Sequence, residues 1–139
     1  MQKLISILVI SLACLLTSCS KEDERCPALV DGTWTYVELD SKAEPIDPGL
    51  DDTFSQLTIN YPAEAREQSI EGTVILKYTI TDTGTIENYE INYDIGGGCG
   101  EAARLAFEAF EGQQLYFPAI YQGIPVETYD FIPIKFKLE

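Results

Sequence analysis

Residues 72–93 read GTVILKYTITDTGTIENYEINY, two strands and the turn between them. Val74, Leu76, Tyr78 and Ile80 fall on one face. Thr73, Lys77, Thr79 and Thr81 fall on the other, together with Ile75, which is the period of a strand. Asp82-Thr83-Gly84-Thr85 supplies the turn, with Gly84 free to take positive φ. Ile86 to Tyr93 returns, with Tyr89, Ile91 and Tyr93 expected on its apolar face.

The pattern changes on both sides of this hairpin. Downstream, Gly96-Gly97-Gly98-Cys99-Gly100 lacks the Lys-Ser/Thr of a phosphate loop and the spacing of a dinucleotide fingerprint, so it is expected to be a mobile connector. Glu101 to Glu111 is expected to be an amphipathic helix. Ala103, Ala106, Phe107 and Phe110 form its apolar side, and Gly112 its C-terminal cap. Tyr116 to Tyr121 and Ile124 to Leu138 are extended, with a turn at Gln122-Gly123. Ile132, Ile134, Phe136 and Leu138 alternate with Pro133, Lys135 and Lys137, and Pro133 cannot donate a ladder hydrogen bond, which points to a sheet edge. Upstream, Pro62 to Gln68 reads as a short helix with proline in its first turn. Phe54 to Asn60 is expected to be a short strand, residues 40–53 an acidic loop, Thr33 to Leu39 a strand, and residues 20–27 a polar tether.

The first residues carry an address. Met1-Gln2-Lys3 is a positive n-region and Leu4 to Leu16 an apolar h-region, too short to span a ~30 Å hydrocarbon core. Leu16-Thr17-Ser18-Cys19 resembles a bacterial lipobox, so residues 1–18 are expected to be removed and Cys19 to receive a multi-chain lipid, palmitate included. Lys21-Glu22-Asp23 resembles a lipoprotein surface-export signal; a solvated tether is the plain alternative. The expected location is the outer membrane, lipid-anchored, on its periplasmic face or at the cell surface.

Composition excludes several classes. The chain of 139 residues has 9 basic and 23 acidic side chains and a formal charge of −14. Nucleic acid and basic-patch adhesion to anionic lipid are therefore not expected. With no histidine, every imidazole-dependent mechanism is absent. Of four cysteines, Cys14 leaves with the signal and Cys19 takes lipid. Cys26 and Cys99 remain as an even pair in an oxidising compartment, for which a disulfide is expected ahead of two separate thiols or a metal site. It would close a loop of roughly 70 residues and contribute ~4 kcal/mol in the chain-entropy picture. Glu101 beside Cys99 is the one imaginable acid–thiol pair, and no constellation has the spacing of a catalytic site. The chain is not expected to be an enzyme or to hold a cofactor or metal.

From residue 61 the elements run helix, strand, strand, helix, strand. Along them stand Tyr61-Pro62-x-x-Ala65-Arg66, Ile70-x-Gly72-x-Val74, Gly84-x-Ile86, Ala102-Ala103, Phe117-Pro118-Ala119, Gly123-x-Pro125-Val126 and Pro133-Ile134-x-Phe136. Their joint order resembles the TonB C-terminal domain family over residues 61–139. The resemblance implies an α+β fold: an antiparallel sheet of three core strands, extended by N-terminal strands, with two helices on one face. It divides the chain into a signal peptide (1–18), a lipidated tether (19–27), an N-terminal extension (28–60) and the family-like domain (61–139).

The resemblance also implies a partner: the TonB-box-like peptide segment of an outer-membrane protein or receptor, added as a strand to the sheet edge. The corresponding element here is residues 128–138, with Tyr129, Phe131, Ile132, Pro133, Ile134, Lys135, Phe136 and Lys137 as the binding edge. Pairing of two copies through that edge is the alternative use. An energy transducer of the family keeps an uncleaved membrane helix and a long Pro-rich span, neither of which is expected here. Two functions follow as expectations. One is a lipid-anchored peptide-binding envelope module linked to TonB-dependent transport. The other is a surface-exposed structural or adhesion lipoprotein that reuses the fold without a transport role.

Overall fold

The computed structural model describes residues 25–138, so the signal peptide, Cys19 and the export-like Lys21-Glu22-Asp23 lie outside the described residues. In chain order the elements are β1 (Arg25–Val30), β2 (Thr33–Glu38), β3 (Glu44–Pro45), α1 (Leu50–Ser55), α2 (Ala63–Glu67), β4 (Gly72–Ile80), β5 (Ile86–Tyr93), α3 (Cys99–Phe107) with a 3-10 turn at Glu108–Phe110, β6 (Tyr116–Phe117), β7 (Ala119–Tyr121) and β8 (Ile124–Phe136). The architecture is α+β. The main sheet runs β2-β1-β8-β4-β5, all neighbours antiparallel, with β7 hairpinned onto the start of β8, while β3 and β6 pair separately. No described helix is long and apolar enough to cross a membrane.

The alternation of β4 sorts its residues as the sequence predicts. Val74, Leu76, Tyr78 and Ile80 are buried beside Ile132, Ile134 and Phe136 of β8. The helices cover this face through Ala65 of α2, Ala103 and Phe107 of α3, and Phe54 of α1. Phe107 is the hub, its ring 5.3 Å from Tyr78, 5.5 Å from Phe54 and 5.8 Å from Tyr89. On β5 the expected apolar face does not run straight. Register shifts between the two strands place Tyr93 opposite Ile75, on the face away from the helices, where it is 58% exposed. Asn88 takes a φ of 50° at the first shift, between Thr79 and Lys77; the second, between Leu76 and Ile75, reverses the parity beyond Ile91 and turns Tyr93 outward.

Four other expectations are corrected. Phe54 to Asn60 is not a strand: α1 starts earlier, at Leu50, after Pro48-Gly49 and with Asp51 and Asp52 in its first turn. Acidic side chains there complement the helix dipole, and Leu50 and Phe54, four apart, both turn into the core. The tether gives way to β1 at Arg25, before its expected end at residue 27, because Cys26, Pro27 and Ala28 are buried.

The glycine-rich segment is also more than a connector. Gly97 lies so close to α2 that a Cβ would stand 2.9 Å from the Ala65 Cα. The carboxylate of Asp94 accepts the N–H groups of Gly96 and Gly100, each at 3.0 Å. A side-chain anion thus fills the position at the start of α3 that a phosphate would take.

Cys99, the first residue of α3, is a free thiol buried in the core, so the expected Cys26–Cys99 disulfide is not formed. Cys26 lies on β1 opposite Val37; Cys99 packs beneath the helices. Burial, with Asp94 nearby, pushes the Cys99 thiol above its ordinary pKa. It is therefore expected to resist iodoacetamide in the native protein at neutral pH and to react in denaturant, as peptide mass spectrometry would show.

Candidate functional site

Two prolines decide which backbone groups the sheet leaves open. Pro133 of β8 stands opposite Ile75 of β4. A hydrogen-bonded antiparallel pair exchanges both N–H groups, which proline cannot do, so position 133 is a non-hydrogen-bonded pair. The odd-numbered residues of β8 therefore turn their backbone groups away from β4. Phe131 agrees: its N–H donates to the side chain of Asp130 at 2.8 Å.

Pro27 acts on the other flank. β1 and β2 join through the two-residue turn Asp31-Gly32, with φ 51° and 75°, the positive values of a type I′ hairpin. Counting from the closing pair Val30–Thr33, Leu29 and Pro27 are the β1 residues whose backbone faces β8. Leu29 pairs with Glu127, and the ladder stops at Ala28–Thr128. The next β1 residue in position to bond is Pro27, which has no N–H to give.

The result differs from the sequence expectation in one respect. β8 is not an outer strand. It pairs with β4 from Thr128 to Phe136, and its first half carries β7 and β1. Yet among the described residues no strand pairs with 131–136 on the side away from β4. Proline reports one side of a strand only, and here that side is an open edge inside the sheet.

The open edge faces a groove whose opposite wall is built by residues 43–59. One part, about 380 Å³, is lined by Asp51, Phe54, Tyr78, Tyr116, Asp130 and Pro133 among others. The next, about 390 Å³, is lined by Phe54, Leu57, Ile59, Pro133, Ile134 and Lys135. The groove thus carries aspartates at one end and a lysine at the other. Phe54 and Pro133 border both parts. At its floor the Tyr78 and Tyr116 hydroxyls lie 2.9 Å apart. Burial pushes the Tyr116 phenol up to about 12 and Tyr78 higher still, so both stay protonated at neutral pH. Replacing Tyr116 by Phe leaves the Tyr78 hydroxyl buried without its partner. A loss of ~1–3 kcal/mol is expected, seen as a lower denaturation midpoint at unchanged slope.

Of the edge residues named from sequence, Ile132, Ile134 and Phe136 point into the core, so their side chains hold the strand. Tyr129, Phe131, Pro133 and Lys135 occupy the face away from the helices, and Lys137 follows the strand end. There Tyr129 meets Trp34 at 5.1 Å and Phe131 at 5.8 Å, and the Lys77 Nζ sits 4.2 Å above its ring. The sequence expectation does not include the second wall: Asp51, Phe54, Leu57 and Ile59. The Leu50–Phe54 spacing behind Pro48-Gly49 is the one signal that points to it.

Residues that carry the family-like pattern do structural work around this site. The Tyr61 hydroxyl donates to the Ile70 carbonyl, and its ring packs 5.5 Å from Phe136. The Gly84 carbonyl accepts from the N–H groups of Leu115 and Tyr116. The family described as Gram-negative bacterial TonB protein C-terminal matches residues 58–138 of the chain. None of the curated proteins compared with it matches.

Proposed function

We propose, since the chain belongs to the TonB C-terminal family, that it is a non-enzymatic envelope module, lipid-anchored through Cys19, which binds an extended peptide by strand addition along residues 131–136 of β8. The family is a bacterial cell-envelope domain, which supports an envelope or outer-membrane partner and a link to TonB-dependent transport. The observation that carries the reading is the walled groove along an unpaired stretch of backbone. Main-chain bonds to such an edge give affinity for any extended chain; the pockets beside it give selectivity.

The chemistry of the edge defines what it takes. Pro133 offers only a carbonyl, and the Phe131 N–H is occupied by Asp130. Lys135 keeps both its N–H and its carbonyl on the open side. An incoming strand therefore finds acceptors at 131, 133 and 135 and a donor at 135. Lys135 and Lys137 favour an acidic residue at that end, against the overall charge of −14.

Titration with TonB-box peptides from receptors of the same cell, followed by amide shifts, tests the reading. Shifts are expected along residues 131–136 and in residues 50–59. No shift at millimolar peptide, or shifts confined elsewhere, would reject it.

A further inference from the structure

Strand β2 offers a second, separate pairing surface, and we infer that it joins two copies of this chain. Among the described residues the main sheet ends in β5 on one side and β2 on the other. Natural proteins blunt such edges with bulges, charges or proline. β5 is blunted: its pairing with β4 is interrupted by register shifts, Asn88 has φ 50°, and it carries Glu87 and Glu90. β2 carries only one of these devices, a single charge at its last residue, Glu38. Its sequence is Thr-Trp-Thr-Tyr-Val-Glu, its pairing with β1 runs without a shift, and no charge occurs between Thr33 and Val37.

The occupant follows from charge and symmetry. Two copies of a chain of charge −14 repel over most of their surfaces. An uncharged strand is where they can meet. Counted from the Asp31-Gly32 turn, the outward backbone groups of β2 belong to Trp34, Tyr36 and Glu38. An antiparallel two-fold pairing centred on Thr35 puts Trp34 opposite Tyr36 of the second copy, both at hydrogen-bonded positions. Thr35 then faces Thr35, Thr33 faces Val37, and Glu38 faces Gly32, so no like charges are opposed. Trp–Tyr and Thr–Thr are favourable cross-strand pairs.

The side chains are ready for it. Trp34 is 44% exposed and Tyr36 59% exposed. Trp34 is already set against the Tyr129 ring at 5.1 Å, and the Tyr36 hydroxyl lies 3.3 Å from the Tyr129 hydroxyl. Ordering them at an interface loses little further freedom.

On the two-fold axis Thr35 is a non-hydrogen-bonded pair, with Cα atoms about 4.5 Å apart, within disulfide reach. The full chain carrying Thr35→Cys, isolated from its oxidising compartment and run without reductant, should therefore link to itself. Thr33→Cys and Val37→Cys alone should not, whereas differently tagged chains carrying one each, co-expressed, should link to each other. In non-ionic detergent the unmodified full chain should sediment as a dimer with rising concentration. Thr35→Lys should weaken that dimer about fivefold by setting two charges across the axis, with the circular dichroism unchanged. Linking at position 35 no greater than at 33 or 37, a monomer at every concentration, or a Thr35→Cys chain linked only to a different protein would each overturn the inference. None of these results depends on peptide capture at β8.

Discussion

Gly84→Ala is expected to destabilise the protein by ~2–5 kcal/mol, a large loss for one added methyl group. Gly84 has φ 83°, where an L-residue with a Cβ loses ~1–2 kcal/mol. A Cβ at this position would stand 1.9 Å from the carbonyl oxygen of Tyr116, which is backbone and cannot rotate away. β6 would have to retreat, breaking the bonds from Leu115 and Tyr116 to the Gly84 carbonyl, each worth ~0.5–1.5 kcal/mol. Gly112→Ala is the control. Its φ is 74° but nothing lies within 4 Å of the added carbon. The control should lose only the conformational part, ~1–2 kcal/mol. Melting temperatures of the two variants measure the difference; equal shifts would mean that the close approach to Tyr116 costs nothing.

Lys135→Pro should lower affinity for an extended peptide by at least about tenfold, the equivalent of one hydrogen bond, with the fold retained. Position 135 stands opposite Thr73 and shares the parity of Pro133, so its N–H is not used in the β4 ladder. A second proline there removes the remaining donor of the open edge and leaves the core strand paired. Glutamate at both Lys135 and Lys137 keeps the donor and reverses the charge. It should weaken binding of an acidic peptide at low salt and much less at high salt. Isothermal titration of both variants separates backbone pairing from charge. Unchanged affinity in Lys135→Pro would place the peptide elsewhere.

The central strands β4 and β8 are legible in sequence because one face of each is drier than the other, so residues such as Val74, Leu76, Ile132 and Ile134 announce the period. α1 is not: Phe54 to Asn60 is too short an apolar run to distinguish strand from helix by pattern. Pro133 is legible as a missing donor, but a donor concerns one flank of a strand, and the residue itself does not say what the other flank does. Cysteine pairing is illegible for a similar reason. Cys26 and Cys99 make an even number, yet Cys99 is a free thiol buried in the core and an even count carries no direction. The second wall of the groove comes from residues distant in sequence from β8, and only tertiary folding brings Phe54 to Pro133.

On the proposed reading, that wall would divide the labour of recognition between two parts of the chain. Residues 131–136 lie within the family match and present main-chain groups that are indifferent to the sequence they bind. Residues 43–57 lie before it and hold side chains that are not indifferent. The apolar part of ligand preference would then be set in the upstream segment, and the charge preference by Lys135 and Lys137 at the end of the strand itself. A fragment trimmed to the family's own boundaries would lose Leu50 and Phe54 from its core along with that wall.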